Sequence, residues 1–388
     1  MLDLKPLLKL IGLALLIKFV LFSFITIHAP SSKFEIDSYQ YLQNAENLTR
    51  YGAFAQYRKR DGTFQAEVLR TPGYPIFLGI FHYLFDISLD GIVILQIFLT
   101  ILAAILTYKT ALLIDKRLGL LSAFIILFDP PITTYSFLIL TEPLFLLSIS
   151  LFMYIFVLYL QNSRLFTLIL SGIFITMATY IRPACYFLGI ACAGFIFLTR
   201  LKSDWRRAII SAMILLLVTY VPLGLWQYRN YHRVKRSVFS DIHYATVEGP
   251  SATGLWRSYS RQQDPSLKNL PPIAYYANVT SRCLISLFTR PGTFKYFKSR
   301  PLTVAGKVFG YPWLIFWMIG FIFGLTKLGK DKYLHFLAFV ILYLTAITLV
   351  ATMWGANERF RVPMMPFIAI LSAWGWNYLL GGKLKTLK

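Results

Sequence analysis

The sequence predicts an all-α polytopic membrane protein, a bundle of about ten transmembrane helices with juxtamembrane helices in the first large loop. Three observations predict it. The 388 residues are 57% hydrophobic and only 14% charged, with a mean hydropathy of +0.59; a soluble domain of this length needs far more surface charge. Several almost charge-free stretches run roughly 17–25 residues, the length of a bilayer-crossing helix. Short basic segments recur between them, spaced so that alternating helices collect them on one side.

The first stretch, "MLDLKPLLKLIGLALLIKFVLFSFITI", has an apolar run too long for a signal peptide. Lys18 interrupts it and no small-x-small cleavage site follows, so an uncleaved helix over 7–27 is expected. Further spans are expected at 90–114, 118–138, 142–160, 165–182, 183–199, 206–226, 311–327, 333–354 and 362–380. The short basic segments are Lys5/Lys9, Lys116-Arg117, Arg164, "RLKSDWRR" (200–207), "KLGKDK" (327–332) and "GGKLKTLK" (381–388). All fall on one side, the cytoplasmic one, if the chain crosses once between Arg70 and Lys116.

The stretch 90–114 makes that crossing. The segment "EVLRTPGYPIFLGIFHYLF" (67–85) then holds a short juxtamembrane or re-entrant helix on the outer side. Pro72 and Pro75 suit its first turn, where a missing N–H costs nothing. The alternative is a short transmembrane helix, which would invert every later loop. Two large loops, about 28–89 and 227–310, then lie outside. The chain divides into a membrane module (1–226), an outer loop (227–310) and C-terminal transmembrane helices (311–388).

Composition narrows the chemistry. Three cysteines (Cys185, Cys192, Cys283) make no disulfide framework, and five scattered histidines offer no metal-ligand spacing. The net charge of +22 on a membrane protein favours anionic head groups or phosphate-bearing substrates. No nucleic-acid motif is present. The larger outer loop adds Arg257, Arg261, Arg282, Arg290, Lys295, Lys298 and Arg300, each of which, taken singly, reads better as a solvated charge.

Charged residues at the outer boundary are the candidates for chemistry. "FEIDSYQYLQNAENLTRYGAF" (34–54) reads as an amphipathic helix with Tyr41, Ala45 and Leu48 on one face and Gly52 as its stop. Asp37 at its start is either an N-cap or a carboxylate held at the membrane–water boundary as a general base. In "LILTEPLFLLS" (138–148), Glu142 occupies a first helical turn, where the dipole favours an acid, on the same side as Asp37. "TYIRPACYF" (179–187) places Arg182 there, to pair with Glu142 or Asp129 or to hold a phosphate. "LWQYRNYHRVKR" (225–236) adds Arg229, and "NERFRVPMMPF" (357–367) adds Arg359 and Arg361. Arg70, Arg182, Arg229, Arg359 and Arg361 thus gather at one boundary, as a phosphate buried at the outer leaflet would require. Lys18, in mid-span, is either functional or silently paired.

In this order the segments resemble a known family. Asp37 with Tyr41 and Ala45, "RTPGYPIFL" (70–78), "TEPLF" (141–145), "IRP" (181–183), "WQYRNY" (226–231) and "ERFRVPMMP" (358–366) are similar to motifs of the GT-C membrane glycosyltransferases. That branch includes protein O-mannosyltransferases and lipid A aminoarabinose transferases. The resemblance implies a multi-span helical fold and catalysis on the outer face of a membrane, here a bacterial inner membrane. It implies a sugar donor on polyprenyl phosphate, no nucleic-acid partner, and a glycan, lipid or protein acceptor. Asp37 corresponds to the essential acid and Glu142 to the second one. Relatives often carry an acidic pair where this chain has Asp37-Ser38.

The expected site therefore has Asp37 and Glu142 as catalytic acids. Arg70, Arg182, Arg229, Arg359 and Arg361 contact the phosphate, and Tyr41, Tyr74 and Asn230 line the pocket. No cofactor is required, and a divalent ion between the two carboxylates is compatible. Rival readings are a flippase of lipid-linked saccharides and an O-antigen-type polymerase or ligase.

Overall fold

The computed structural model describes residues 4–58, 62–201, 203–241, 270–292, 297, 300–352 and 357–381. Arg257, Arg261, Lys295, Lys298 and the basic tail after Gly381 lie outside them.

The described residues are almost entirely helical. Helix α1 (Lys5–His28) enters through Pro6 and leads by a short 3-10 turn (Pro30–Lys33) into α2 (Ile36–Tyr51). The left-handed Gly52, at φ 64°, ends α2 as expected. A small antiparallel hairpin, β1 (Ala55–Arg58) and β2 (Phe64–Ala66), follows. Next comes α3 (Gly73–Leu78), which runs on as a π-helical turn to Leu84.

The membrane bundle continues with α4 (Leu89–Ile114), α5 (Gly119–Leu127), α6 (Pro130–Ser136), α7 (Glu142–Asn162), α8 (Leu165–Ile181), α9 (Leu188–Arg200) and α10 (Trp205–Val234). Beyond the second large loop stand α11 (Pro272–Thr289), α12 (Arg300–Thr326), α13 (Lys332–Thr352), the one-turn α14 (Glu358–Arg361) and α15 (Met365–Leu379).

The protein is an integral, multi-pass membrane protein. Among the described residues seven helical segments are long and apolar enough to cross a bilayer, against about ten expected spans. The other three are shorter for local reasons. The stretch 118–138 breaks at Asp129-Pro130-Pro131, where the Asp129 carboxylate caps α6 by accepting the Ile132 N–H at 3.0 Å. Helix α8 has 17 residues. Helix α15 has 15; Pro363 sits in the 3-10 turn before it and Pro366 in its first turn.

The juxtamembrane helices are where the sequence places them. The α3 segment, about a dozen residues with its π turn, is too short to cross hydrocarbon. It packs on α2 and α8 instead. Gly73 sits so close to the Tyr180 main chain that a Cβ would lie 2.8 Å from its carbonyl carbon. Thr71 reinforces this by donating to the Ile181 carbonyl at 3.0 Å, and Tyr83 donates to the Leu42 carbonyl at 3.2 Å.

In lipid, helices associate through close packing of small residues rather than a hydrophobic drive. Helices α12 and α15 show it: a Cβ on Gly375 would fall 1.9 Å from the Gly320 carbonyl oxygen.

Candidate active site

Five segments, scattered from residue 37 to residue 359, bring charged groups together at one end of the bundle. The end of α1 delivers the start of α2. There the Ser38 hydroxyl accepts the Glu35 N–H at 3.0 Å, so Asp37 is not needed as the cap and its carboxylate can meet other partners. The turn before α3 delivers Arg70, the start of α7 Glu142, the end of α8 Arg182, and the short α14 Arg359.

These groups form one chain of ion pairs. Arg70 Nη2 donates to Asp37 Oδ1 at 2.5 Å, and Arg359 Nη1 donates to Asp37 Oδ2 at 3.2 Å. Arg359 Nε donates to Glu142 Oε1, which also accepts from Arg182 Nη1 at 2.7 Å. Arg359 is thus the bridge between the two acids. Three guanidiniums against two carboxylates leave one positive charge in excess.

Exposure separates the two acids. The Asp37 side chain keeps 25% of its surface open, whereas Glu142 has none. Only Asp37 can meet a substrate hydroxyl without rearrangement; Glu142 is placed to orient Arg182 and Arg359. Its Oε2 has no hydrogen-bond partner among the described residues, so the site retains one unused buried acceptor.

Electrostatics sets the protonation states. Burial alone would push the Asp37 carboxyl up, but the charges and hydrogen bonds of Arg70 and Arg359 hold it below the ordinary aspartate range. Burial alone would lower Arg359; Glu142 and Asp37 instead raise its already high pKa, so it stays charged. Burial raises the Tyr41 hydroxyl, which remains a neutral phenol at physiological pH.

Aromatic rings wall the cluster. The Arg70 guanidinium lies over the Tyr41 ring at 5.2 Å. Arg182 lies over Phe360 at 5.4 Å and Phe145 at 5.8 Å. Tyr74 stands edge-on to Tyr41 with centroids 5.2 Å apart, but it is fully buried. Its hydroxyl donates to Gln96 Oε1 at 2.6 Å, and Gln96 Nε2 donates to the Leu138 carbonyl at 2.7 Å. Tyr74 therefore anchors the turn leading to Glu142 rather than lining open space.

Three expected site residues lie apart from the cluster's hydrogen bonds. Arg229 donates to the Glu67 and Phe54 carbonyls, both at 2.8 Å, and stacks on Trp226 at 4.8 Å. Asn230 is buried and holds the Val238 carbonyl at 2.9 Å. Arg361 is buried over Trp317 and donates to the Leu287 and Arg290 carbonyls at 2.7 and 2.9 Å, closing the C-terminal end of α11. Their guanidiniums and amide serve main-chain carbonyls, a use that an arginine count at the boundary does not reveal.

Sequence reasoning passed over Gln40, which accepts Arg70 Nε at 2.8 Å, and Asn44 and Glu67, joined at 2.9 Å. A signal existed: Asp37, Gln40, Tyr41 and Asn44 recur at helical spacing on α2. Lys18 is buried and donates to Thr133 at 3.0 Å. It also lines an apolar groove of about 620 Å³ between α1, α5, α6 and α12.

Comparisons with known proteins agree with this architecture. A family model described as dolichyl-phosphate-mannose-protein mannosyltransferase matches residues 70–226, a span that contains Arg70, Glu142 and Arg182. Solved structures of an archaeal oligosaccharyltransferase from Archaeoglobus fulgidus superpose on nearly the whole chain. The apo form gives a TM-score of 0.56 at 15% identity, covering 96% of this chain and 50% of that one. The form with an inhibitory peptide and a dolichol-phosphate gives 0.54 at 15% identity, with the same coverage. The form tethered to an acceptor peptide gives 0.55 at 15% identity, covering 98% and 50%.

The fold is that of the membrane half of the archaeal oligosaccharyltransferase structures. The chain spans about half the length of the solved structures it matches. No curated protein matches it significantly. The GT-C resemblance read from short motifs is therefore matched by the family model over 70–226 and by the three-dimensional fold.

Proposed function

We propose that this protein is an inverting membrane glycosyltransferase that moves a sugar from a polyprenyl-phosphate donor to a hydroxyl of a glycan, lipid or protein acceptor. The observation that carries the reading is the Arg70–Asp37–Arg359–Glu142–Arg182 chain. It presents a partly open carboxylate beside an excess of positive charge at one end of a membrane bundle. Paired acids alone would fit many reactions; an arginine excess selects an anion.

The opposite end of the bundle supports an extracytoplasmic site. There Arg200 donates to Ser163 at 2.6 Å, Lys332 to the Leu160 carbonyl at 2.8 Å and Gln161 to the Leu113 carbonyl at 2.7 Å. The basic segments at 116–117, 164, 200–207 and 327–332 thus share that end, which the positive-inside rule makes cytoplasmic in this reading. In this reading the site faces away from the cytoplasm.

In this mechanism Arg70, Arg182 and Arg359 receive the donor phosphate. Drawing guanidinium N–H groups away from Asp37 relieves the ion pairs that weaken it as a base, so donor binding unmasks the carboxylate. Asp37 then takes the proton of the acceptor hydroxyl while that oxygen attacks the anomeric carbon. The bond from that carbon to the phosphate oxygen breaks on the opposite face, and polyprenyl phosphate leaves with the electron pair. Charge-assisted hydrogen bonds stabilise it as it departs.

The apolar groove of about 620 Å³ beside Lys18 would give the isoprenoid chain room. Arg359 already bridges the two carboxylates, and no third acid or histidine completes a ligand set among the described residues. In this reading Arg359, rather than a divalent ion, neutralises the two carboxylates.

The test is donor turnover by purified protein in nanodiscs, with a panel of polyprenyl-phosphate sugars and a membrane extract as acceptor. Wild type should release free polyprenyl phosphate, and Asp37→Asn should lose about 10²-fold or more. Equal release by both would remove Asp37 as the base. Transfer of intact donor across the bilayer of proteoliposomes without cleavage would overturn the enzyme reading in favour of a flippase.

A further inference from the structure

Glu67 is a buried acid outside the ion-pair chain. It is 1% exposed, and among the described residues the hydrogen bonds to its carboxylate come from main-chain N–H groups and an amide, not from a cationic side chain. Oε1 accepts two main-chain N–H groups, Leu69 at 2.6 Å and Arg70 at 3.0 Å. Oε2 accepts Asn44 Nδ2 at 2.9 Å. A buried charge is costly unless it is fully hydrogen-bonded. A turn that needed only a cap would be served by a neutral Ser or Asn.

The arrangement makes sense on the surface of α2. Asp37, Gln40, Tyr41 and Asn44 lie three, four and seven residues along from the first and so share one face. That face meets the segment 67–70 twice. Asn44 holds Glu67. Gln40, Asp37 and Tyr41 hold the Arg70 side chain through its Nε, its Nη2 and the face of its guanidinium. Between these two clamps, the Glu67 carboxylate closes onto the N–H of Arg70 itself.

Other main-chain contacts pin neighbouring groups. The Glu67 N–H donates to Phe54 at 3.1 Å and the Glu67 carbonyl accepts Arg229 at 2.8 Å. The Val68 carbonyl accepts the Asp241 N–H at 2.8 Å, and the Leu69 carbonyl accepts the Ser240 hydroxyl at 2.7 Å. Together these anchor residues 67–69 from the hairpin, from α10 and from the segment after it.

We propose that Glu67, with Asn44, is a positioning residue that holds Arg70 against Asp37 and toward the donor phosphate. Its catalytic meaning rests on the proposed glycosyl transfer; its effect on the Arg70–Asp37 pair does not. A carboxylate, acceptor-only and with two oxygens, takes all three N–H groups with Asn44 in its present orientation. A glutamine must turn its own NH₂ toward either Asn44 or the turn.

The experiment uses the full-length protein in nanodiscs with Glu67→Gln, Asn44→Ala and Arg70→Met, singly and combined. Two readouts are taken. Carbodiimide labelling of the Asp37 carboxyl, followed across pH by mass spectrometry, reads its titration without assuming any reaction. The pH profile of kcat/KM for polyprenyl-phosphate release reads the same limb in turnover.

Losing the Glu67 clamp should let Arg70 withdraw, so both limbs move to higher pH. kcat/KM should fall about 10- to 100-fold, and Glu67→Gln should add almost nothing to Arg70→Met. Limbs that stay in place, or losses that add fully to those of Arg70→Met, would overturn the proposal even if thermal stability drops. Absence of turnover in wild type would sink the glycosyltransferase reading, while the Asp37 labelling would still decide the role of Glu67. Should Glu67→Gln fail to fold, Asn44→Ala carries the same test from the other side of the contact.

Discussion

Arg359 is the keystone of the site, and replacing it with glutamine tests the electrostatic argument most directly. Its guanidinium joins Asp37 to Glu142 and is only 20% exposed. Removing one partner of a buried ion pair costs roughly 3–5 kcal/mol, because the other charge is left without compensation. Here Glu142 keeps Arg182 at 2.7 Å and Asp37 keeps Arg70 at 2.5 Å. The loss should therefore fall below that range, about 2–3 kcal/mol. Expressed in kcat/KM this is about 30- to 150-fold.

The pH profile carries a second, sharper expectation. Burial pushes the Asp37 carboxyl up and two arginines hold it down. With Arg359 gone only Arg70 opposes burial, so the carboxyl protonates at higher pH. Catalysis that needs the carboxylate is present above that limb and is lost as pH falls through it. The acid limb of the variant should lie at higher pH than that of wild type, and the defect should deepen on acidification. Arg359→Lys should recover only part of the loss, since an ammonium keeps the charge but lacks the planar fork that spans both acids.

The assay is release of polyprenyl phosphate in nanodiscs at saturating acceptor across a pH series, with protein stability checked in parallel. A limb that stays put or moves to lower pH would refute the charge argument. Full rescue by lysine would refute the bridging argument.

Other substitutions separate structure from chemistry. Arg361→Met should lower thermal stability by about 2–3 kcal/mol, by stranding the Leu287 and Arg290 carbonyls, while leaving donor KM unchanged; a large rise in KM with stability intact would return Arg361 to the phosphate site. Gly73→Ala should cost about 1–3 kcal/mol by thermal denaturation, because its methyl would meet the Tyr180 main chain at 2.8 Å; a neutral result would show that α3 and α8 can part freely. Ala305→Trp, which fills part of the groove beside Lys18, should raise KM for donors with long isoprenoid chains and spare short-chain analogues. Equal effects on both would remove the groove from the donor path.

Hydropathy alone determined that this chain crosses a membrane many times, because bilayer thickness sets helix length independently of tertiary contacts. The order of short motifs determined the GT-C resemblance. The proline-flanked, dozen-residue segment after Arg70 was legible as a juxtamembrane helix for the same reason of length. Asp37, Glu142, Arg70, Arg182 and Arg359 were readable as boundary charges on one side.

Only the tertiary structure decided what each charge touches. Arginine has five donors and a long stem, and its sequence neighbours do not reveal whether those donors meet a carboxylate or a main-chain carbonyl. Arg359 joins two acids 105 residues apart in the chain, whereas Arg361, two positions on, points to the carbonyls at the end of α11. The break at Asp129-Pro130-Pro131 shortened a span that mean hydropathy treats as continuous. Glu67 looked like one more loop acid until folding placed its carboxylate against Asn44 and the Arg70 N–H, since burial comes from packing between segments and not from the residues beside it.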